Sequence, residues 1–254
     1  MDRRNLALGL GGIATLLLFY AANPWVTPPE GNITIIVNVA FWIAAIALAV
    51  VLFGDRKSLA AESVEIDGPP FARFLFSNSR AGLFWLPIRL FVGFAWLEAG
   101  YHKLTGGGWV TDGGSALAGY WTNAVKVPDP SAGRPPITYE WYRDFINVLL
   151  TGGHEGWFAW LITFGELAVG LGLLLGALTG LAAFFGALMN MSFLLAGSGS
   201  SNPVMFTLAI GLILAWKVAG YYGLDRYLLP MLGTPWRPGA LTGKATQPQG
   251  APVG

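Results

Sequence analysis

Long apolar stretches dominate the chain, and each is close to the length of a bilayer crossing. A hydrocarbon core of roughly 30 Å requires about 20 consecutive apolar residues in a helix that rises about 1.5 Å per residue. Six stretches approach this length: residues 6–22, 33–53, 83–101, 157–178, 181–196 and 204–224. The pattern therefore predicts an all-α fold, a polytopic integral membrane bundle of about six spans.

The hydrated segments divide the chain into four parts. The outer segment, residues 102–156, lies within the third part and should form helices over 114–126 and 137–150, while the second part contains an amphipathic stretch from Pro70 that suits a helix on the membrane surface or an ordered loop. The predicted parts are an N-terminal hairpin (1–56), a cytoplasmic loop (57–82), a four-span core (83–224) and a cytoplasmic tail (225–254).

Basic residues indicate the orientation of the spans. Arg3, Arg4, Arg56 and Lys57 flank the first two spans on one side, whereas residues 23–32 contain no Lys or Arg. Cytoplasmic loops carry an excess of Lys and Arg. Both termini are therefore expected in the cytoplasm.

Composition supports the bilayer as the main partner and narrows the chemistry. Apolar residues make up 54% and charged residues 11% of the 254-residue chain, too little polarity to cover a soluble domain of this size. A net charge of +1 with dispersed basic residues argues against nucleic acid. The absence of cysteine excludes thiolate chemistry and disulfides within the chain. Two histidines, His102 and His154, follow no ligand spacing, so no metal or haem is expected.

Small residues predict how the helices pack. Ala168, Gly172, Gly176 and Gly180 recur every four residues, which lets helix backbones approach closely inside lipid. On residues 137–150, one helix face groups Tyr142, Phe145, Ile146 and Leu149. That apolar face would cap the outer end of the bundle or roof a ligand pocket.

Ionisable residues at membrane depth are functional candidates, because an unpaired charge in hydrocarbon costs several kcal/mol. Arg89 and Glu98 fall on opposite faces of the third span. Glu98 and His102, four residues apart, form either a proton-transfer pair at a cavity mouth or a structural salt bridge. Glu166 is the deepest acid, and a hydrogen bond between Glu166 and Asn190 would either join helices or line a polar pocket.

Two segments carry a resemblance to a known family. RLFVGFAWLEAGYHKL (residues 89–104) and FFGALMNMSFLLAGSGSSNP (residues 184–203) resemble the DoxX/DoxD family of small bacterial and archaeal membrane proteins. The resemblance covers residues 83–224 and implies a location in the cytoplasmic membrane. Members similar to the DoxD branch form the membrane part of a thiosulfate:quinone oxidoreductase, and other DoxX-like members act as anchors in redox complexes.

The resemblance implies a quinone as membrane co-substrate, thiosulfate as electron donor and a small partner subunit. Glu98, His102 and Glu166 are then the candidate proton donors. Arg89, Trp96 and Asn190 are expected to contact the quinone. Thiosulfate would meet Lys103, Arg134, Arg143 and Asn202, although the outer segment has more acids than bases and offers no strong steering field for an anion. A non-catalytic membrane anchor is the main alternative, and a transporter is a third.

Overall fold

The computed structural model describes residues 3–22, 32–53, 68–129, 131 and 133–233, and this part of the chain is helical without any strand. The all-α prediction is confirmed. The predictions for most of the cytoplasmic loop, for the turn between the first two stretches and for the tail from residue 234 lie outside the described residues.

Two helices form a compact unit of their own at the N-terminus. Helix α1 spans Arg3–Ala22 and helix α2 spans Asn32–Phe53, and the two pack against each other. Both are apolar around most of their circumference, and Ile36, Trp42 and Ile46 on α2 are largely exposed. Neither of the two cavities described below is lined by residues of this unit, so the functional candidates considered lie in the second unit.

The second unit contains the remaining helices. They are α3 (Pro70–Ser77), a 3-10 turn (Ser79–Ala81), α4 (Gly82–Thr105), α5 (Ser115–Ala124), α6 (Glu140–Thr151), α7 (Glu155–Leu175), α8 (Thr179–Leu195), α9 (Asn202–Leu214) and α10 (Asp225–Leu232). Helix α5 falls within the predicted range 114–126, and α6 begins within the predicted range 137–150 and ends one residue beyond it, at Thr151. Helix α3 is the amphipathic stretch that begins at Pro70.

Two helical segments in the described residues are long and apolar enough to cross a membrane, by length and composition: Ser79–Thr105 and Glu155–Leu175. The other apolar helical stretches found there are shorter, namely Asn5–Ala14, Val39–Val51, Thr179–Leu195 and Asn202–Leu214. Of the six predicted stretches, two therefore meet the criterion for a span.

The last predicted stretch differs most from its prediction. Helix α9 ends at Leu214, and residues 215–224 form turns instead of continuing the helix. These turns bring the backbone onto the α7–α8 connection, where Leu224 N donates to Leu175 O at 3.0 Å and Asp225 N donates to Gly176 O at 2.7 Å. Glycine at position 220 permits this approach, since a Cβ there would overlap the Asp225 carboxylate.

Helices α4 and α7 form the tightest pairing in the second unit. They run antiparallel, with Gly93 beside Leu173 and Gly100 beside Leu167. A Cβ at Gly170 would lie 2.6 Å from the backbone nitrogen of Leu97. The two backbones are therefore in direct contact, because these glycines have no Cβ to hold them apart.

A buried polar cluster fastens the start of α8. Asp225 is 2% exposed, and its carboxylate accepts hydrogen bonds from Leu178 N at 2.6 Å and Thr179 N at 2.9 Å. These are backbone donors at a helix N-terminus, which lack intrahelical partners and which an acidic side chain stabilises. Arg89, also 2% exposed, donates from Nη2 to Tyr222 O at 3.1 Å. Gly176 and Gly223 pack against the guanidinium, and Arg89 lines neither of the two cavities described below.

Candidate functional site

A polar cavity of about 290 Å³ lies between α4, α5, α7, α8 and the start of α9. Its walls are mixed, with aromatic rings, one acid, one base, two amides and three serines. The lining residues that carry chemistry are Trp96, Lys103, Trp109, Tyr120, Glu166, Asn190, Ser198, Ser200, Ser201 and Asn202. Its volume lies near the lower end of the range for ligand pockets, about 300 to 1,000 Å³, so it suits a small molecule.

An ion pair between Lys103 and Glu166 dominates the cavity. The Lys103 ammonium donates to both carboxylate oxygens, at 2.8 Å and 2.9 Å. The Glu166 side chain is 1% exposed, whereas the Lys103 side chain is 17% exposed. The Glu166 side chain is therefore buried, whereas the Lys103 side chain is partly accessible to solvent.

The α4–α7 pairing explains why these two residues meet. Gly100 contacts Leu167, and Lys103 follows Gly100 by one turn on the same face of α4. From there the flexible side chain extends back along α7 to Glu166. The Lys103 ammonium also lies 4.9 Å from the centre of the Trp109 ring, within the range of a cation–π interaction.

Two buried side-chain nitrogens beside the ion pair lack hydrogen-bond partners in the described part of the chain. Asn190 is 1% exposed and Trp96 is 4% exposed. Neither the Asn190 Nδ2 nor the Trp96 Nε1 has a hydrogen-bond partner among the residues that the structure describes. Because a buried donor without a partner costs free energy, the Asn190 amide is suited to receive an acceptor from a molecule in the cavity. Trp96 Nε1 instead faces the close approach of α8 at Gly186.

The outer rim is made of small hydroxyl and amide groups. Asn202 Nδ2 donates to Ser198 O at 3.0 Å, which fixes the turn between α8 and α9. Ser200 and Ser201 complete this rim. These groups can hydrogen-bond an oxyanion without adding charge.

Tyr120 supplies the remaining titratable side chain of the cavity. Burial raises the pKa of its phenol, and the neighbouring Ser198 side chain opposes that effect. Tyr120 is therefore a neutral hydroxyl at physiological pH, available as a donor or acceptor but not as a charge.

An apolar groove of about 670 Å³ lies next to the polar cavity, along α7 and α8. Tyr120 and Phe193 line both spaces, so a single layer of side chains separates them. Leu161, Leu181 and Leu188 along the groove are each more than half exposed. The groove therefore opens on an apolar surface.

Helix α6 covers the outer end of this groove, where Tyr142, Phe145 and Ile146 line it. The same helix packs Tyr142, Ile146 and Leu149 into a buried core with α5 and α7, so both alternatives that the sequence left open agree with its position, and Phe145 is 46% exposed. The Tyr142 hydroxyl donates to Ser192 O at 2.8 Å, and burial raises its pKa to about 12.

The structure brings five of the sequence-predicted site residues together at the polar cavity: Trp96, Lys103, Glu166, Asn190 and Asn202. The pairing within this group differs from the prediction. Glu166 was expected to bond Asn190, but both of its oxygens accept from Lys103. Lys103 bonds Glu166 because the backbones of α4 and α7 are in contact, which places the ammonium within hydrogen-bond distance of the carboxylate.

Glu98 and His102 lie away from the cavity. Their side chains are 57% and 74% exposed, and the Glu98 Oε1 to His102 Nε2 distance of 3.9 Å is longer than a hydrogen bond. They belong to the outward face of α4 with Phe91, Phe94 and Tyr101, since Gly93, Trp96 and Gly100 occupy the face against α7. Of the two alternatives for this pair, a position at a cavity mouth is therefore not found, and the 3.9 Å separation fits an exposed salt bridge when the imidazole is protonated.

Three predicted basic residues also lie outside the cavity. Arg89 is held in the buried cluster with Tyr222 and Asp225, roughly 20 Å from Lys103 along the axis of α4. Arg143 donates from Nη2 to Ile137 O at 2.8 Å and so fastens the outer segment. Arg134 is exposed and does not line either space.

Sequence reasoning missed Trp109, Tyr120 and Asp225. Trp109 and Tyr120 come from the outer segment, where nothing in the pattern states which helix they cover. A usable signal existed for the ion pair, because Lys103 shares a helix face with Gly93, Trp96 and Gly100. If α7 packs closely against those glycines, Glu166 on α7 lies within reach of the Lys103 side chain.

No group of three or more His, Cys, Asp or Glu side chains that could hold a metal ion occurs within the described part of the chain. Comparison with protein-family models, with curated proteins and with solved structures finds no match.

Proposed function

We propose that this chain is a polytopic, DoxX-like membrane protein of about six spans that oxidises thiosulfate and passes the electrons to a membrane quinone. Two thiosulfates would each lose one electron and join through a new sulfur–sulfur bond as tetrathionate. The quinone would take up the two electrons and two protons and leave as quinol. The resemblance of residues 89–104 and 184–203 to the DoxX/DoxD family suggests the reaction.

Exposed apolar side chains support the bilayer as solvent for the second unit. Phe91 and Phe94 on α4, Leu171 on α7 and Phe184 and Leu188 on α8 are between 49% and 61% exposed. Large apolar patches of this kind on helix after helix are uncommon on soluble monomers. Hydrocarbon would cover them, and α8 and α9 would cross as shorter, partly irregular spans.

The observation that carries the proposal is the shared wall of Tyr120 and Phe193. A charged reductant needs a polar site, whereas a quinone with an apolar tail reaches its site laterally from lipid. The cavity supplies Lys103, Asn190 and neutral hydroxyls for an oxyanion, and the groove is lined almost entirely by apolar residues. A volume of about 670 Å³ is within the range for a quinone ring with the first part of its tail.

Turnover in liposomes tests the proposal. Purified protein in liposomes that contain ubiquinone should reduce the quinone when thiosulfate is added, and Lys103→Met should slow this reaction at least tenfold. His102→Ala is the matched control, because His102 lies on the same helix but on its exposed face. Equal loss in both variants, or no reduction by wild type with or without a co-purified partner, would contradict the proposal.

A non-catalytic anchor for a redox complex is the second candidate. It is favoured by the ion pair itself, since Glu166 has both oxygens satisfied without any ligand. An anchor would be inert alone and in its complex would tolerate Asn190→Leu, which removes a cavity donor without touching the ion pair. Full quinone reduction by the complex that carries Asn190→Leu would support the anchor.

A further inference from the structure

We propose that anion binding in the polar cavity is coupled to the uptake of one proton by Glu166. The inference rests on the proposed function in one respect, namely that the cavity takes a small oxyanion. It adds that the ion pair opens when the anion arrives, so that the anion and a proton occupy the site together.

Two of the three donors of Lys103 are already in use. An ammonium has three N–H donors, and two of them go to the oxygens of Glu166 at 2.8 Å and 2.9 Å. The Trp109 ring lies 4.9 Å from the same nitrogen. The remaining donor is next to the Glu166 carboxylate, whose charge repels an anion, so an anion gains its strongest contact with Lys103 by replacing Glu166 as an acceptor.

Replacement leaves the acid without compensation. The Glu166 side chain is 1% exposed while the pair is closed, so it has almost no contact with water that could replace the ammonium. Asn190 is a neutral donor in the same wall and cannot balance a charge. A buried carboxylate that loses its cation is strongly disfavoured, and taking up a proton removes the charge.

The charges of the residues that line the cavity also favour proton uptake when an anion binds. Lys103 from α4 and Glu166 from α7 are the charged side chains among the described lining residues, and Tyr120 from α5 is the remaining titratable one. Helices α8 and α9 contribute the amides Asn190 and Asn202, and the turn between them contributes serines. The empty cavity is therefore neutral, and an anion without a proton would make it negative.

The linkage between proton uptake and anion binding sets how strongly the Kd for the anion depends on pH. When one proton enters with each anion, the Kd for the anion rises about tenfold per pH unit over the range in which Glu166 is ionised in the free protein. Because protonation is required for binding, affinity should be highest at low pH and should fall as pH rises. A site without coupling would show a flat profile while the charge of the anion stays constant.

Isothermal titration of thiosulfate into the detergent-solubilised full chain, without quinone, tests the inference. Repeating the titration at one pH in buffers of different ionisation enthalpy gives the number of protons taken up, which should be about one per anion. Glu166→Gln should bind thiosulfate with no proton uptake and with a flat pH profile. Glu98→Gln, an exposed acid on the other face of α4, should keep the wild-type uptake.

The outcomes separate the two proposals. Thiosulfate binding to wild type with no proton uptake, or unchanged uptake in Glu166→Gln, would overturn the coupling and leave the oxidoreductase proposal intact. A lack of thiosulfate binding at any pH would overturn both. Sulfate, an oxyanion of the same charge that donates no electrons, should show the same proton uptake, since the coupling depends on charge alone.

Discussion

Removal of Lys103 should destabilise the protein far more than removal of its partner. At 2.8 Å and an effective dielectric constant of about 20, the attraction between two unit charges is about 6 kcal/mol, most of which offsets the cost of taking both from water. Lys103→Met leaves Glu166 buried at 1% exposure without a cation. Breaking a buried pair in this way costs about 3 to 5 kcal/mol.

The reverse substitution should cost less, because the two side chains differ in their access to water. With Glu166→Gln, the ammonium of Lys103 keeps a neutral acceptor and, at 17% exposure, can turn toward the cavity opening. We expect a loss of about 1 to 2 kcal/mol. The double variant Lys103→Met with Glu166→Leu removes both charges and should lie within about 1 kcal/mol of wild type.

Reversible denaturant unfolding in mixed micelles, followed by circular dichroism, measures these free energies, and the single variant Glu166→Leu completes the double-mutant cycle that isolates the coupling. All five proteins should be compared at one pH and one detergent composition, since both change the reference state. Additive losses, or a loss below about 1 kcal/mol for Lys103→Met, would show that Glu166 does not depend on this cation and would refute the reasoning.

Three further substitutions test the fold around the site, each by the same unfolding measurement. Gly170→Ala places a Cβ within 2.6 Å of the Leu97 nitrogen and should lower the free energy of unfolding by about 1 to 3 kcal/mol. The control Gly165→Ala, on the same helix, meets only a sulfur at 3.5 Å and should lower it by less than about 0.5 kcal/mol. Equal losses in the two variants would contradict the close pairing of α4 and α7. Asp225→Ala orphans two backbone donors and should cost about 2 to 4 kcal/mol, and a neutral result would refute the capping role. The pKa of Tyr142 is about 12 in the folded protein against 10.0 for an ordinary phenol, so the folded protein keeps this proton after the unfolded chain has lost it. The free energy of unfolding should therefore fall between pH 10 and 12, and Tyr142→Phe should reduce that fall. An unchanged fall in Tyr142→Phe would contradict the burial of the phenol.

The helical class and the helix faces could be predicted from sequence, because both follow from local periodicity. The grouping of Gly93, Trp96, Gly100 and Lys103 on one face of α4 is an example, and these residues do line the α7 contact or the cavity. The helical period also separated them from Glu98, which points outward. Such predictions need only the 3.6-residue repeat.

The sequence could not predict features that depend on contacts between segments far apart in the chain. Asp225 caps α8 from nearly fifty residues away, and Arg89 is buried by the turns around Tyr222. Neither contact has a local signature. Depth alone suggested that Arg89 was available for a ligand, whereas the tertiary contacts enclose it. The end of α9 at Leu214 likewise follows from docking of the next ten residues onto the α7–α8 connection.

The central claim is that the polar cavity holding Lys103 and Glu166 is a ligand site, and an experimental structure of the full chain with thiosulfate bound tests it most directly. The account predicts density for the anion within hydrogen-bond distance of Lys103 Nζ and Asn190 Nδ2, with the carboxylate of Glu166 released from the lysine. Density confined to exposed Arg134 in the outer segment, with the Lys103–Glu166 pair intact, would contradict it.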